Sequence, residues 1–241
     1  MADATQLILP LRGALIPVPG VPQEGVCSIC HSSASPGYPA CYPCHEAAWT
    51  NPPEILPITL SLHGGLIHDH LRGYKDSRSA SVRDRMSLRL AGLLAIFMVN
   101  HADCIGFWDY ATCVPSAHRT ALDRVVTRIR LFTDRYRHVL AARPGRTERA
   151  LGPAQFTVTG DVSGHRILLL DDTFTSGTKL FGAAAALRQR GAAIIGPVVI
   201  GRHIQRSWLP SNDLLHWVEE RPWDEAHCAW CAGERRTGTL F

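Results

Sequence analysis

Residues 166–178 read Arg-Ile-Leu-Leu-Leu-Asp-Asp-Thr-Phe-Thr-Ser-Gly-Thr, and this run constrains the fold more than any other. Four consecutive apolar residues, Ile167 to Leu170, are bounded by turn residues, as in a buried strand of a parallel sheet. Asp171 and Asp172 follow where that strand should end. Thr175, Ser176, Gly177 and Thr178 make a short hydroxyl-rich loop, and residues 179–190 continue as an Ala-rich segment of helical period. Strand, small loop, helix is a layout that binds phosphate. Glycine lets the backbone approach closely, hydroxyls and amides donate, and the helix N-terminus favours an anion. In open α/β sheets, ligands sit beyond the carboxyl ends of the strands, where this loop falls.

Two neighbouring aspartates at a strand end suit a polyol or a cation. The loop lacks the Gly-Lys-Ser/Thr ending of a P-loop and the spaced glycines of a dinucleotide fold. An anion-plus-diol site remains, which suits a ribose phosphate; the plain alternative is a strand–turn–helix with Asp172 as helix cap. The whole run resembles the binding signature of type I phosphoribosyltransferases: apolar strand, two acidic residues, two variable positions, then Thr-Thr/Ser-Gly-x/Thr. The resemblance implies that Asp171 and Asp172 hold the ribose hydroxyls of phosphoribosyl pyrophosphate, directly or through Mg²⁺. Thr173 and Phe174 open the 5-phosphate loop, and Thr175, Ser176, Gly177 and Thr178 cradle the phosphate. In the purine-salvage branch the position of Thr175 is an aspartate acting as base, so that chemistry is not supported.

The 241 residues can bury one substantial core with a small appendage, and a net charge of +4 does not demand a nucleic-acid partner. No apolar run reaches the roughly 18 residues of a membrane span, and residues 7–18 follow no basic region, so the expectation is a cytoplasmic chain without a membrane partner. The eight cysteines then argue for metal or thiols over disulfides. Cys27-x-x-Cys30 and Cys41-x-x-Cys44 are separated by ten residues, a spacing that can place four thiolates tetrahedrally around Zn²⁺. The segment is too polar to hold itself by burial, so metal would supply its folding energy. His31 and His45 read as exposed bystanders.

Along the rest of the chain, the Pro-rich residues 1–24 read as an arm on the body or an early strand pair, and residues 51–58 as a linker. Leu66, Ile67, Leu71 and Tyr74 suggest a short amphipathic helix. Residues 81–100 carry helical spacing through Val82, Met86, Leu90, Leu93, Leu94 and Phe97. Lys75, one of two lysines in the chain, falls on the loop between them, as a solvated charge or a pyrophosphate contact. Residues 109–114 read as a strand. Pro115, Ser116 and Arg119 then form either a plain βα turn or, by resemblance, the diphosphate loop, with Arg119 as a bidentate clamp. A helix is expected from about residue 120 to about 140, with Leu122, Val125, Val126, Ile129 and Phe132 facing the core. Residues 141–155 are basic and turn-rich, a mobile hood or a surface loop. Residues 156–159 and 194–200 read as further strands, making 166–200 one βαβ unit. The tail carries Trp208, Trp217, Trp223 and Trp230 and ends in His227-Cys228-x-x-Cys231. This motif is half of a second metal site completed from elsewhere, a pair of free thiols, or a redox pair.

A Cys₄ knuckle, a Lys-bearing loop, a long helix and a phosphoribosyltransferase body, in that order, resemble the ComF-like family, which is amidophosphoribosyltransferase-like and linked to DNA uptake or repair. The resemblance covers roughly residues 25–200. It implies a type I phosphoribosyltransferase fold, a mostly parallel central sheet flanked by helices, with a zinc-ribbon-like appendage. The expected organisation is an N-terminal arm (1–24), a Cys₄ knuckle (25–50), a transferase-like domain (58–205) and a Trp/Cys-rich tail (206–241). The family's Arg-Gly-Phe-Asn-Gln stretch is absent; Arg119-Thr-Ala-Leu-Asp-Arg124 stands there. The expected function is Mg²⁺-dependent phosphoribosyl transfer to a nitrogen nucleophile, with Asp171, Asp172, Arg119 and Lys75 at the reacting end. The competing expectation is a phosphoribosyl-ligand sensor whose knuckle meets DNA or protein. No Lys or Arg lies between Cys27 and Cys44, which argues against phosphate neutralisation there.

Overall fold

The apolar run at residues 167–170 lies in the middle of the sheet. The computed structural model describes residues 3–116, 121–143, 152–207 and 212–232. In chain order these form α1 (Ala4–Arg12), α2 (Tyr42–Glu46), β1 (Leu56–Leu62), α3 (Leu66–Asp76), α4 (Ala80–Asn100), α5 (Ala102–Ile105), β2 (Tyr110–Cys113), α6 (Ala121–Val126), β3 (Leu140–Ala142), β4 (Phe156–Val158), β5 (Arg166–Phe174), α7 (Thr178–Arg188), β6 (Ala193–Ile204), α8 (Asn212–Glu219) and α9 (Ala229–Ala232). Four strands make an all-parallel sheet in the order β1-β6-β5-β2, and β3 pairs antiparallel with β4 apart from it. The β5–α7–β6 unit is the expected βαβ. Its register slips by one residue between Leu168 and Leu170, where β6 accommodates Gly196 and Pro197.

Strand pleating sorts the core into two layers. Leu168 and Leu170 face one layer, with Val198, Ile200, Ile58, Leu60 and the apolar faces of α1, α3, α4 and α6. Ile167 and Leu169 face the other, with Val199, the buried side of α7 and the four cysteines of residues 27–44. A strand apolar at every position is what two covered faces demand. The cysteine knuckle is therefore packed on the same sheet face as the helix that follows the signature loop.

Five local expectations are corrected. Residues 4–12 form a helix, with Asp3 accepting from the Thr5 N–H at 3.0 Å. Ile16 then runs beside β1, where Leu60 N donates to Ile16 O at 3.1 Å. The end of the supposed linker, Leu56 and Pro57, belongs to β1; proline is tolerated there because β1 is the sheet's edge strand. Lys75 lies in the last turn of α3, not in a loop. The helix expected to about residue 140 stops at Val126, because the chain instead lines the free edge of β2: Ala111 N donates to Arg135 O at 2.7 Å and Arg137 N to Ala111 O at 2.9 Å. The core residues Leu122, Val125, Val126, Ile129 and Phe132 are buried all the same. His31 is buried, with its ring nitrogens 3.0 Å from Pro19 O and 3.1 Å from Ile55 O, while His45 is exposed.

Candidate functional site

β5 is longer than its apolar run. Asp171, Thr173 and Phe174 still pair with β6, opposite Val199, Gly201 and Arg202. β2 gives out earlier, its last pairing being Cys113 with Leu170. Beyond Leu170 one flank of β5 is therefore open, and a cleft of about 620 Å³ occupies the gap. Residues 171–179 line one side of it, and Val114, Pro115, Ser116, Ala121 and Leu122 line the other, with Lys75 also at its wall. The signature carboxylates and hydroxyls thus face the residues expected to form a diphosphate loop. Arg119 lies outside the described residues, as do 144–151 of the expected hood; β3 and β4 bracket the latter.

The loop proper is three residues, Thr175 to Gly177. Gly177 sits at φ +81° at the N-cap of α7, in the left-handed region that side chains avoid. A Cβ there would come within 2.5 Å of the Phe181 ring and 2.6 Å of the Phe174 ring. These two rings meet edge to face with centroids 5.3 Å apart, so the loop backbone rests on a packed aromatic floor. Ser176 Oγ and Thr178 Oγ1 lie 2.9 Å apart on the exposed side. The amide groups of the first turn of α7 have no partners within the helix, and together with the hydroxyls they make a concentrated donor set for an anion.

The carboxylates are set by α3. Its Ile67, His70, Leu71 and Tyr74 are buried at helical spacing, which turns the last turn toward β5. Gly73 permits the close approach of α4, since a Cβ there would meet Met86 Sδ at 2.5 Å. The Tyr74 hydroxyl donates to Asp172 Oδ2, and Lys75 Nζ lies 2.9 Å from the same carboxylate. Burial, reinforced by the charge of Asp172, pushes the Tyr74 phenol well above its ordinary range and keeps it a donor. Asp171 accepts the Asp172 N–H at 2.9 Å. Burial first, and then the neighbouring carboxylate, push its carboxyl up to about 8. Asp172 is thus paired with a lysine, while its neighbour is shifted toward the protonated form. Tyr74 escaped sequence reasoning because a buried aromatic at helical spacing reads as core, which it also is.

The N-terminal cysteines converge as their spacing predicts. The four sulfurs lie within 4.8 Å of one another, and all four residues are buried. Cys30 and Cys41 are 3.6 Å apart at sulfur, too far for a disulfide of about 2.05 Å and close to the edge of a tetrahedral zinc–thiolate site. Ile29 N donates to Cys27 Sγ at 3.5 Å. The donor set fits zinc in a closed structural site. Burial works against a Cys30 thiolate, yet hydrogen bonds within the cluster and the charge of Arg202 outweigh it and hold this thiol well below its ordinary value. The buried Arg202, unmarked by any sequence motif, lies near enough to the Cys30 sulfur for the two charges to favour each other, and it donates to Phe174 O at 3.2 Å. It links the knuckle to the strand end that carries the loop. At the other end of the chain, His227 stands apart from the tail cysteines, with its Nδ1 2.7 Å from an Asp224 oxygen.

The sequence matches no protein-family model and no curated protein. Among solved structures it is similar to orotate phosphoribosyltransferase of Mycobacterium tuberculosis H37Rv in complex with inorganic phosphate. That match is 17% identical, with a TM-score of 0.34, over 58% of this chain and 85% of the other. It is also similar to the same enzyme in complex with 5-phospho-α-D-ribosyl 1-diphosphate, at 18% identity and TM-score 0.35 over 58% and 86%. A phosphoribosyltransferase from Corynebacterium diphtheriae matches at 23% identity and TM-score 0.33, over 58% and 92%. Among the described residues no helix is long and apolar enough to cross a membrane.

Proposed function

We propose that this chain is a cytoplasmic, ComF-like phosphoribosyltransferase. It binds phosphoribosyl pyrophosphate and transfers the phosphoribosyl group to a nitrogen nucleophile, releasing diphosphate. Residues 58–205 are the transferase body and residues 25–50 its zinc knuckle. The observation that carries this reading is the convergence of both aspartates and the hydroxyl loop on one cleft at the carboxyl ends of parallel strands. That arrangement suits an anion subsite beside a diol subsite.

In this reading Ser176, Thr178 and the amide groups at the start of α7 hold the 5-phosphate, and Asp171 and Asp172 face the ribose hydroxyls. Their oxygens are hard donors suited to Mg²⁺, which, when bound, supplies charge neutralisation for the departing diphosphate. Lys75 offsets Asp172 in the unliganded chain and is within reach of the same cleft; with Arg119 it steadies the diphosphate. The protein's task is positioning and electrostatic stabilisation of an oxocarbenium-like state. Thr175 offers no carboxylate base, so the acceptor brings its own nucleophilic nitrogen.

Calorimetry with phosphoribosyl pyrophosphate and Mg²⁺ tests the site. The expected result is saturable binding that is lost in Asp171→Asn/Asp172→Asn, with diphosphate release when a panel of amines and bases is supplied. Unchanged affinity in the double variant refutes the site, and binding without turnover on any acceptor refutes the transferase activity.

A further inference from the structure

A second set of ligands assembles far from the cleft. His101 caps the C-terminus of α4 and Cys104 lies in α5, one helical turn on. Cys228 and Cys231 stand at the same three-residue separation around α9. Folding brings one ligand atom from each of the four to within 4.8 Å of the others. Cys228 and Cys231 are 3.5 Å apart at sulfur, and Cys231 Sγ is 3.9 Å from His101 Nδ1. Zinc bonds of about 2.3 Å to sulfur and about 2.0 Å to nitrogen, held tetrahedrally, set ligand separations of about 3.5 to 3.8 Å. A disulfide needs about 2.05 Å, so these sulfurs have the spacing of a metal shell.

The surroundings fit a structural ion. His101 is 1% exposed and Cys228 5%, so the ligand set is largely shielded from water. The Cys228 N–H donates to Cys231 Sγ at 3.0 Å, the kind of support that steadies a thiolate. α9 has four residues, too few to hold a helix by its own hydrogen bonds. Yet this tail is placed with care. Trp223 Nε1 donates to Ile58 O at 3.2 Å on β1, and Asn100 Nδ2 donates to Glu225 O at 3.1 Å. Trp230 packs so closely over Gly196 that a Cβ there would lie 2.3 Å from its ring. A clamp at residues 228–231 would lock these contacts with β1, β6 and α4.

We propose that His101, Cys104, Cys228 and Cys231 bind a second zinc ion in a closed Cys₃His site, which fastens the C-terminal tail to the corner between α4 and α5. The site has four protein ligands and no open position, so its role is structural. His227, next to the motif, is not a ligand. This proposal is independent of the phosphoribosyl reading.

Metal analysis of the full-length chain, purified without chelator, tests it. The expected content is two zinc ions per chain, falling to one in Cys228→Ala/Cys231→Ala and to one in Cys27→Ala/Cys30→Ala. His101→Cys keeps two, because it preserves a four-ligand shell; this variant separates loss of a ligand from loss of the fold. Cobalt substitution of the Cys27→Ala/Cys30→Ala variant should give the absorption pattern of three sulfurs and one nitrogen. One zinc per chain in the unaltered protein overturns the proposal. So does a Cys228–Cys231 disulfide found by thiol alkylation and mass measurement in that same preparation.

Discussion

Replacing Gly177 by alanine probes the floor of the loop proposed to hold the phosphate. Two costs are set by the structure. The first is conformational: at φ +81° an L-residue costs about 1–2 kcal/mol. The second is steric. The new methyl would lie 2.5 and 2.8 Å from two atoms of the Phe181 ring and 2.6 Å from Phe174. Both rings are 1% exposed, so neither can swing into solvent, and overpacking of this kind costs about 1–3 kcal/mol. Together they predict a loss of about 2–5 kcal/mol, a large share of the roughly 5–15 kcal/mol of a folded domain. Gly160→Ala is the control, since Gly160 has φ +82° but nothing within 4 Å of its Cβ position. It should lose about 1–2 kcal/mol, the backbone cost alone. Urea unfolding followed by tryptophan fluorescence compares the two variants, and thermal shift with inorganic phosphate reads the loop. Gly177→Ala should be the less stable variant and should lose the phosphate-dependent shift, which Gly160→Ala keeps. Equal losses in stability with phosphate binding intact would show that the aromatic floor does not position the loop.

Arg202→Met removes the buried cation between Cys30 and Phe174 O. Uncompensated loss of a buried charge partner costs about 3–5 kcal/mol, a factor of at least about 100 if it falls on zinc affinity, so a chelator competition with a zinc-sensitive dye should show zinc held at least about 100-fold more weakly; an unchanged affinity contradicts the link. Asp171, pushed up to about 8 by burial and then by Asp172, keeps its proton in the folded chain at a pH where the unfolded chain has released it. Its contribution to stability is full below about pH 4 and is lost as pH rises through about 8. Asp171→Asn cannot ionise, so its unfolding midpoint should fall less than that of the unaltered chain between about pH 5 and 8; parallel profiles would show that Asp171 is ordinarily acidic.

The local elements of this protein are written locally. Residues 166–200 declare a strand, a loop and a helix in sequence order, because a strand covered on both faces must be apolar throughout and a tight anion loop needs glycine and hydroxyls at adjacent positions. The first cysteine cluster is legible for the same reason, since its four ligands fall within eighteen residues, from 27 to 44. β1 is not legible, because an edge strand tolerates Pro57 and its other support comes from residue 16. The helix expected after residue 120 is cut short by a demand its own periodicity cannot express, the free edge of β2.

Chain order alone therefore determines which segments can be buried, where a hydroxyl-rich loop leads into a helix and which thiols share a turn. Tertiary structure decides the charge states and the partners. It brings Tyr74 and Lys75 to Asp172, sets Arg202 between the knuckle and the loop, and joins His101 and Cys104 to cysteines more than a hundred residues away. The physical reason is range. Backbone conformation and burial pattern are set within a few residues, whereas charge pairing and metal ligation depend on distances that exist only after the sheet has closed its two layers.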